Sequence, residues 1–272
     1  MEPAAASTAR PAPCPESFVA FGERLAEAAR AVIRPLFRTP VAVDVKPDRS
    51  PVTRADREAE AAMRGLIAAT YPEHGMVGEE QGHDRPEASY VWVLDPVDGT
   101  KRFITANPLF GTLIALLRDG RPVLGIIDMP MLDERWIGAA GRPTVRRSAA
   151  GRAESRVRAC PALDQATLSA SSPHMFEDHF AAFERVRVAA GMPLYGGDCY
   201  NYGLLADGFA DLVIEATMGP HDFLPLVPVV EGAGGVMTDW QGRPLGLESD
   251  GRVIAAGDRR VYGEALALLQ GR

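Results

Sequence analysis

Cysteine is scarce in this chain of 272 residues: Cys14, Cys160 and Cys199 lie far apart, with no CxxC pair and no zinc spacing. That excludes a disulfide framework and suits a reducing, cytoplasmic compartment. Long apolar runs are lacking too; none approaches the roughly 18 residues that a membrane span needs. Positive charge is in deficit, with 29 Lys and Arg against 36 Asp and Glu and a net charge of −7. That balance argues against a nucleic-acid partner, and the one basic concentration, Arg142 to Arg158, reads as a solvated face. The five histidines show no ligand spacing to one another except His174 and His179, which straddle a helix start, so surface or capping roles are expected for all of them. Residues 1–16, rich in Ala and Pro, have neither a basic n-region nor an apolar h-region and read as a disordered leader. No internal repeat is visible.

What is present is an ordinary globular composition, 46% hydrophobic and 24% charged, long enough for one large domain or two intimate ones. Ser17 is placed to cap a helix to about Arg34, whose apolar stripe includes Phe18, Phe21, Leu25, Ala29 and Ile33. Val41 to Val45 alternates like a strand, and the proline-punctuated Lys46 to Pro51 reads as a mobile loop. Thr53-Arg54-Ala55-Asp56 is a capping-box pattern opening a helix to about Thr70. Met76 to Glu80 is a short strand with two carboxylates at its end. Thr112 to Leu117 and Pro122 to Ile127, joined by Asp119-Gly120, form a hairpin, with Glu134 to Ala139 as a third strand. The basic, turn-rich Gly141 to Cys160 divides an N-terminal α+β half (17–150) from a C-terminal α/β half (151–272). In the latter, strands alternate with helices at Met175 to Ala189, Cys199 to Gly208, His221 to Gly232 and Arg259 to Leu269. The class is mixed α/β.

The chemistry concentrates in Val91-Trp92-Val93-Leu94-Asp95-Pro96-Val97-Asp98-Gly99-Thr100-Lys101. A buried strand runs into two carboxylates three residues apart, and Pro96, unable to donate to a sheet ladder, is expected to end it. Asp95, the Val97 carbonyl and Asp98 can then converge on a hard divalent cation. Gly99 permits a turn, and the amides after it can meet an anion. Further acidic groups fall at predicted element ends: Asp56, Glu79-Glu80 and Asp222. Carboxylates gathered at buried strand tips imply a cation between them, because desolvating an unpaired charge costs several kcal/mol. Oxygen-only ligation favours Mg²⁺ over zinc. Read singly, Asp56 and Asp222 are also ordinary helix caps.

Gly78-Glu79-Glu80, then Asp95-Pro96-Val97-Asp98-Gly99-Thr100, then Asp222 at a helix start resembles the inositol-monophosphatase-like family of metal-dependent phosphatases, from about Ser17 to the C-terminus. His221 stands where the family usually has tryptophan, and Phe223 and Leu224 replace small residues. The resemblance implies an αβαβα layered fold, a homodimer, and in-line hydrolysis of a small phosphate monoester with two or three Mg²⁺. Carried over by position, Glu79, Asp95 and the Val97 carbonyl would hold one ion, and Asp95, Asp98 and Asp222 a second. Glu79 would help with a third, near Lys46. Thr100 and Asp56 would position and deprotonate the attacking water, and the Gly99 and Thr100 amides would bind phosphate. A phosphoaspartyl route would need Asp95 free as nucleophile, which a bridging Asp95 is not.

Asp98-Gly99-Thr100-Lys101-Arg102-Phe103-Ile104, Gly197-Asp198-Cys199-Tyr200 and Gly232-Ala233-Gly234-Gly235 look more like the histidinol-phosphatase branch. Asp198 and Glu215 fall where the family contacts the alcohol, and two carboxylates there suit the cationic histidinol; Asp198 is also placed to cap the helix after Cys199. The expected activity is hydrolysis of L-histidinol phosphate. Inositol 1-phosphate or a range of sugar phosphates are the alternatives within the class. A catalytically silent binding protein on the same fold is an alternative outside it.

Overall fold

The computed structural model describes residues 12–47 and 50–272. Most of the expected leader, and Asp48 and Arg49 of the polar loop, therefore lie outside the described residues. The first helix, Glu16–Leu36, starts ahead of the expected cap: Pro15 occupies the cap position and Ser17 is already helical. The second, Arg54–Thr70, opens on the expected capping box, with the Thr53 N–H donating to Asp56 Oδ2 at 2.9 Å.

Both helices cover one face of an eight-stranded sheet. Its order is Gly151–Glu154, Val145–Ser148, Glu134–Ala139, Arg121–Met129, Gly111–Arg118, Tyr90–Asp98, Gly75–Gly78, Gly82–Asp84. All neighbours are antiparallel except Gly75–Gly78, which runs parallel to Tyr90–Asp98. Trp92, Leu94, Ile114 and Leu116 point to the helix pair, while Val91, Val93, Leu113 and Ala115 point the other way. Both faces of these strands are covered, which is why they read as unbroken apolar runs. The polar strands at the two margins of the sheet, Gly82–Asp84 at one and Val145–Ser148 with Gly151–Glu154 at the other, carry no such signal. The last two form a hairpin across residue 150, so the first sheet ends at Glu154, beyond the division expected there.

On the far face lie the helices Tyr200–Ala206 and Leu226–Gly232, whose Tyr202, Leu205, Val229 and Val230 pack against both sheets. The second sheet runs Met192–Tyr195, Thr167–Ala170, Leu212–Glu215, Val253–Ala256, Val236–Asp239. Its outer face is covered by Phe180–Ala189 and Arg259–Leu269. The result is the five-layer αβαβα sandwich.

Several local expectations are corrected. The helix expected over His221 to Gly232 is two pieces, Pro220–Phe223 and Leu226–Gly232, with Pro225 at the joint. The helix expected from Met175 starts at Phe180, after a 3-10 stretch over Pro173–His179. His74 is buried, its Nδ1 accepting from Trp92 Nε1 at 3.1 Å within an aromatic cluster. Much of the arginine group is ion-paired: Arg146 with Asp207, Arg147 with Glu23 and Arg158 with Asp211.

Candidate metal and phosphate site

The Tyr90–Asp98 strand does not stop at Pro96. Pairing holds as far as Asp95 opposite Leu113, then skips to Asp98 opposite Gly111. The missing proline N–H makes this a bulge, pinned by Thr112 Oγ1 donating to the Pro96 carbonyl at 2.8 Å and the Val97 N–H donating to Asp95 Oδ1 at 2.9 Å. Bulging brings Asp95 and Asp98 together. Asp222 arrives from the first turn of Pro220–Phe223, where its Oδ2 accepts from the Gly219 N–H at 2.6 Å. One oxygen each of Asp95, Asp98 and Asp222 lie within 4.8 Å of one another.

Asp98 Oδ2 accepts from the Cys199 N–H at 2.8 Å, and His221 Nε2 lies 3.4 Å from Asp222 Oδ1. Among the described residues no lysine or arginine forms an ion pair with any of these three carboxylates. Burial, reinforced by Glu79, Asp98 and Asp222, pushes the Asp95 carboxyl well above the usual range. Burial, with Asp198 and Asp222, does the same to Asp98. Burial also raises Asp222, against the opposing pull of His221. One buried carboxylate and two half-buried ones held together without a lysine or arginine are an unfavourable arrangement that a divalent cation would relieve. The donor set fits Mg²⁺: all oxygen, with a carbonyl at Val97.

Glu79 follows the Gly75–Gly78 strand and stands outside the tight trio, its N–H donating to the Leu94 carbonyl at 3.1 Å. Its Oε1 takes Lys46 Nζ at 2.8 Å, and the same ammonium reaches Glu80 Oε1 at 2.6 Å. Lys46 is thus occupied by the acidic turn.

Thr100 opens the short helix Thr100–Ile104 after Gly99, which adopts φ +85°. Asp198 Oδ2 lies 3.1 Å from where a Cβ at Gly99 would be, so a larger residue there meets both strain and a neighbour. Thr100 Oγ1 is 3.0 Å from Asp56 Oδ1 and 3.1 Å from the Val97 carbonyl. Asp56 is fully buried, and its other oxygen accepts from the Thr53 N–H and hydroxyl. Burial raises its carboxyl pKa, against the lowering pull of Thr53 and Thr100.

Asp198 does not cap the following helix. Its backbone is left-handed (φ +46°), the cap position falls to Cys199, and its carboxylate pairs with Arg102 Nε at 2.8 Å. Glu215, at the end of Leu212–Glu215, is buried; Oε1 accepts from the Ser171 N–H at 3.0 Å and from its hydroxyl, and Oε2 from Tyr202 OH at 3.1 Å. Burial lifts its pKa to about 7. Ser171, Met175, Gly99, Thr100, Arg102 and Asp198 share the lining of a cavity of ≈ 510 Å³. The sequence reading missed the Arg102 partner, Ser171 and Tyr202, which only chain crossing brings in. It also missed Glu60, whose signal was available: it lies four residues after Asp56, on the same helix face.

The Inositol monophosphatase family model matches residues 15–271. Over 265 residues the chain is 49% identical to the bifunctional phosphatase IMPL2, chloroplastic, of Arabidopsis thaliana, covering 94% of this chain and 75% of that protein. Over 217 residues it is 34% identical to a histidinol-phosphatase of Chlorobaculum parvum, covering 77% of this chain and 80% of that one. Among solved structures, an inositol monophosphatase from Zymomonas mobilis matches with TM-score 0.85 and 49% identity, covering 94% of this chain and 98% of that one.

Proposed function

Because this chain belongs to the inositol monophosphatase family, we propose that it hydrolyses a phosphate monoester with Mg²⁺ and that L-histidinol phosphate is its preferred substrate. The observation that carries the chemistry is the cluster of Asp95, Asp98 and Asp222. With Glu79 and the Val97 carbonyl, these residues would hold two or three Mg²⁺, which when bound neutralise phosphate charge and acidify water. The Thr100 hydroxyl positions the attacking water through a lone pair while its own proton goes to Asp56 Oδ1. Asp56, with a raised pKa, takes the water's proton through that hydroxyl. The Gly99 and Thr100 N–H groups, at the start of Thr100–Ile104, would bind the phosphate oxygens.

Substrate preference rests on Glu215 and Asp198, with the similarity to a histidinol-phosphatase in support. Arg102 offsets the charge of Asp198, leaving Glu215 as the carboxylate for a cationic alcohol. That offset, together with the Zymomonas inositol monophosphatase, favours inositol 1-phosphate as the second reading. The test compares kcat/KM for the two esters with Mg²⁺. Wild type is expected to prefer histidinol phosphate, and Glu215→Gln to lose about 10- to 100-fold on it, as for one charge-assisted bond of roughly 1.5–3 kcal/mol, while changing little on inositol 1-phosphate. With Glu215 titrating at about 7, it is protonated below that pH, so KM for histidinol phosphate should rise as pH falls through 7. Equal or better turnover of inositol 1-phosphate by wild type overturns the substrate assignment.

We also assign a homodimer to the open edge strand Met192–Tyr195, where Met192, Leu194 and Tyr195 are exposed. A monomer mass by light scattering would refute it. No helix among the described residues is long and apolar enough to cross a membrane. Three buried, free cysteines suit the cytoplasm, where we place the protein.

A further inference from the structure

Helix Arg54–Thr70 presents a second carboxylate one turn beyond Asp56. Glu60 is fully buried, yet both its oxygens are engaged. Oε2 accepts from the Glu80 N–H at 2.8 Å; Oε1 accepts from the Gln81 N–H at 3.0 Å and from Arg64 Nε at 2.7 Å. Arg64 also donates to the Gly82 carbonyl. On the other side of Glu79, a Cβ at Gly78 would sit 2.0 Å from Glu60 Oε1 and 2.8 Å from Arg64 Nη2. The strand can end there only because residue 78 has no side chain. Glu79 therefore lies between two backbone positions that Glu60 touches, and its own N–H is tied to Leu94. Nothing else among the described residues accepts the Glu80 and Gln81 N–H groups in the hydrogen bonds of this turn.

We propose that Glu60 is a positioning residue: it fixes the Glu79–Gln81 turn so that Glu79 faces Asp95, and thereby sets the cation affinity of that end of the site without ligating the cation. Two amides and a guanidinium engage both its oxygens inside the fold, and it stands outside the Asp95, Asp98 and Asp222 cluster, which suits a positioning group and not a ligand. The proposal rests on the phosphatase reading above. Groups that orient metal ligands through hydrogen bonds change affinity by about 10- to 100-fold when removed. Glu60→Gln keeps the shape but sets an NH₂ against one backbone N–H; Glu60→Asp keeps the charge but withdraws it from both.

The probe is Mn²⁺ titrated into substrate-free, full-length protein and followed by its EPR signal, with the Mg²⁺ dependence of turnover measured alongside. Both variants are expected to weaken Mn²⁺ binding by about tenfold or more and to raise the Mg²⁺ needed for half-activation in step, with most of kcat returning at saturating Mg²⁺. If Glu60→Gln fails to fold, Glu60→Asp carries the test. Met63→Ala, a buried change on the same helix, lowers Tm and is expected to leave Mn²⁺ affinity alone. Wild-type affinity in a folded Glu60 variant, or an equal loss in Met63→Ala, overturns the positioning role while the phosphatase reading stands. A wild type that shows no Mn²⁺ binding sensitive to Asp95→Asn overturns both.

Discussion

Asp95→Asn is expected to lower kcat by about three to four orders of magnitude at any Mg²⁺ concentration, and to make the cation-free protein more stable. The loss follows from the place of Asp95 at the bulge, where it is the most buried of the three carboxylates and interacts with Glu79, Asp98 and Asp222. Asp95 would help hold a cation that supplies several kcal/mol of charge neutralisation, at 1.36 kcal/mol per tenfold in rate, and a neutral amide would hold it far less well than a carboxylate. The gain in stability follows from the same burial. The folded-state pKa of Asp95 is raised, so folding favours its protonated form. That contribution is fully present below the ordinary carboxylate pKa and is lost as pH rises through the folded value. Asparagine has no proton to lose, so in EDTA at neutral pH the variant should unfold at a higher temperature than wild type. With Mg²⁺ the order should reverse, since only wild type gains the binding free energy. Appreciable turnover in the variant, or a lower Tm in EDTA, would remove the bridging role.

Asp56→Asn is expected to lower kcat by about 10²- to 10⁴-fold, the range for losing a general base, with KM nearly unchanged and no loss of Tm. The amide oxygen can keep the capping bonds from the Thr53 N–H and hydroxyl. Its NH₂ then faces Thr100 Oγ1, turns that hydrogen bond around, and leaves the Thr100 proton to the Val97 carbonyl. The relay for the water's proton is broken while the helix start survives. Wild-type activity is expected to rise with pH through the raised pKa of this carboxyl, and the variant should lack that limb. A pH–rate profile of unchanged shape, with kcat near wild type, would exclude Asp56 as the base.

How far the sequence foretold the molecule differs from element to element. The strand Glu134–Ala139 and the helices Arg54–Thr70 and Arg259–Leu269 matched to the residue or nearly so. Each has an apolar period or a cap that nothing else in its neighbourhood contradicts. The marginal strands Gly82–Asp84, Val145–Ser148 and Gly151–Glu154 went unseen because they bury little and so carry no alternation. Pro96 was read as a stop because its missing donor is a local fact. That the sheet absorbs it as a bulge depends on Thr112 and Gly111 from the next strand. Asp198 was read as a cap because a polar residue before a helix usually is one; its left-handed backbone and its pairing with Arg102, 96 positions away, are not local properties.

By itself, the sequence determined which residue types stand at the ends of which elements: Asp56 in a capping box, Glu79 after a strand, Asp95 and Asp98 around a proline, and Asp222 in a helix start. Those depend on spacing and backbone chemistry within a few residues. Only the tertiary structure decided which of them meet. It brought Asp95, Asp98 and Asp222 within 4.8 Å, engaged Lys46 with Glu79 and Glu80, offset Asp198 with Arg102, and set Glu60 under the Glu79 turn. Distances across a fold come from the packing of layers far apart in the chain, and with those distances come burial, pKa and cation affinity.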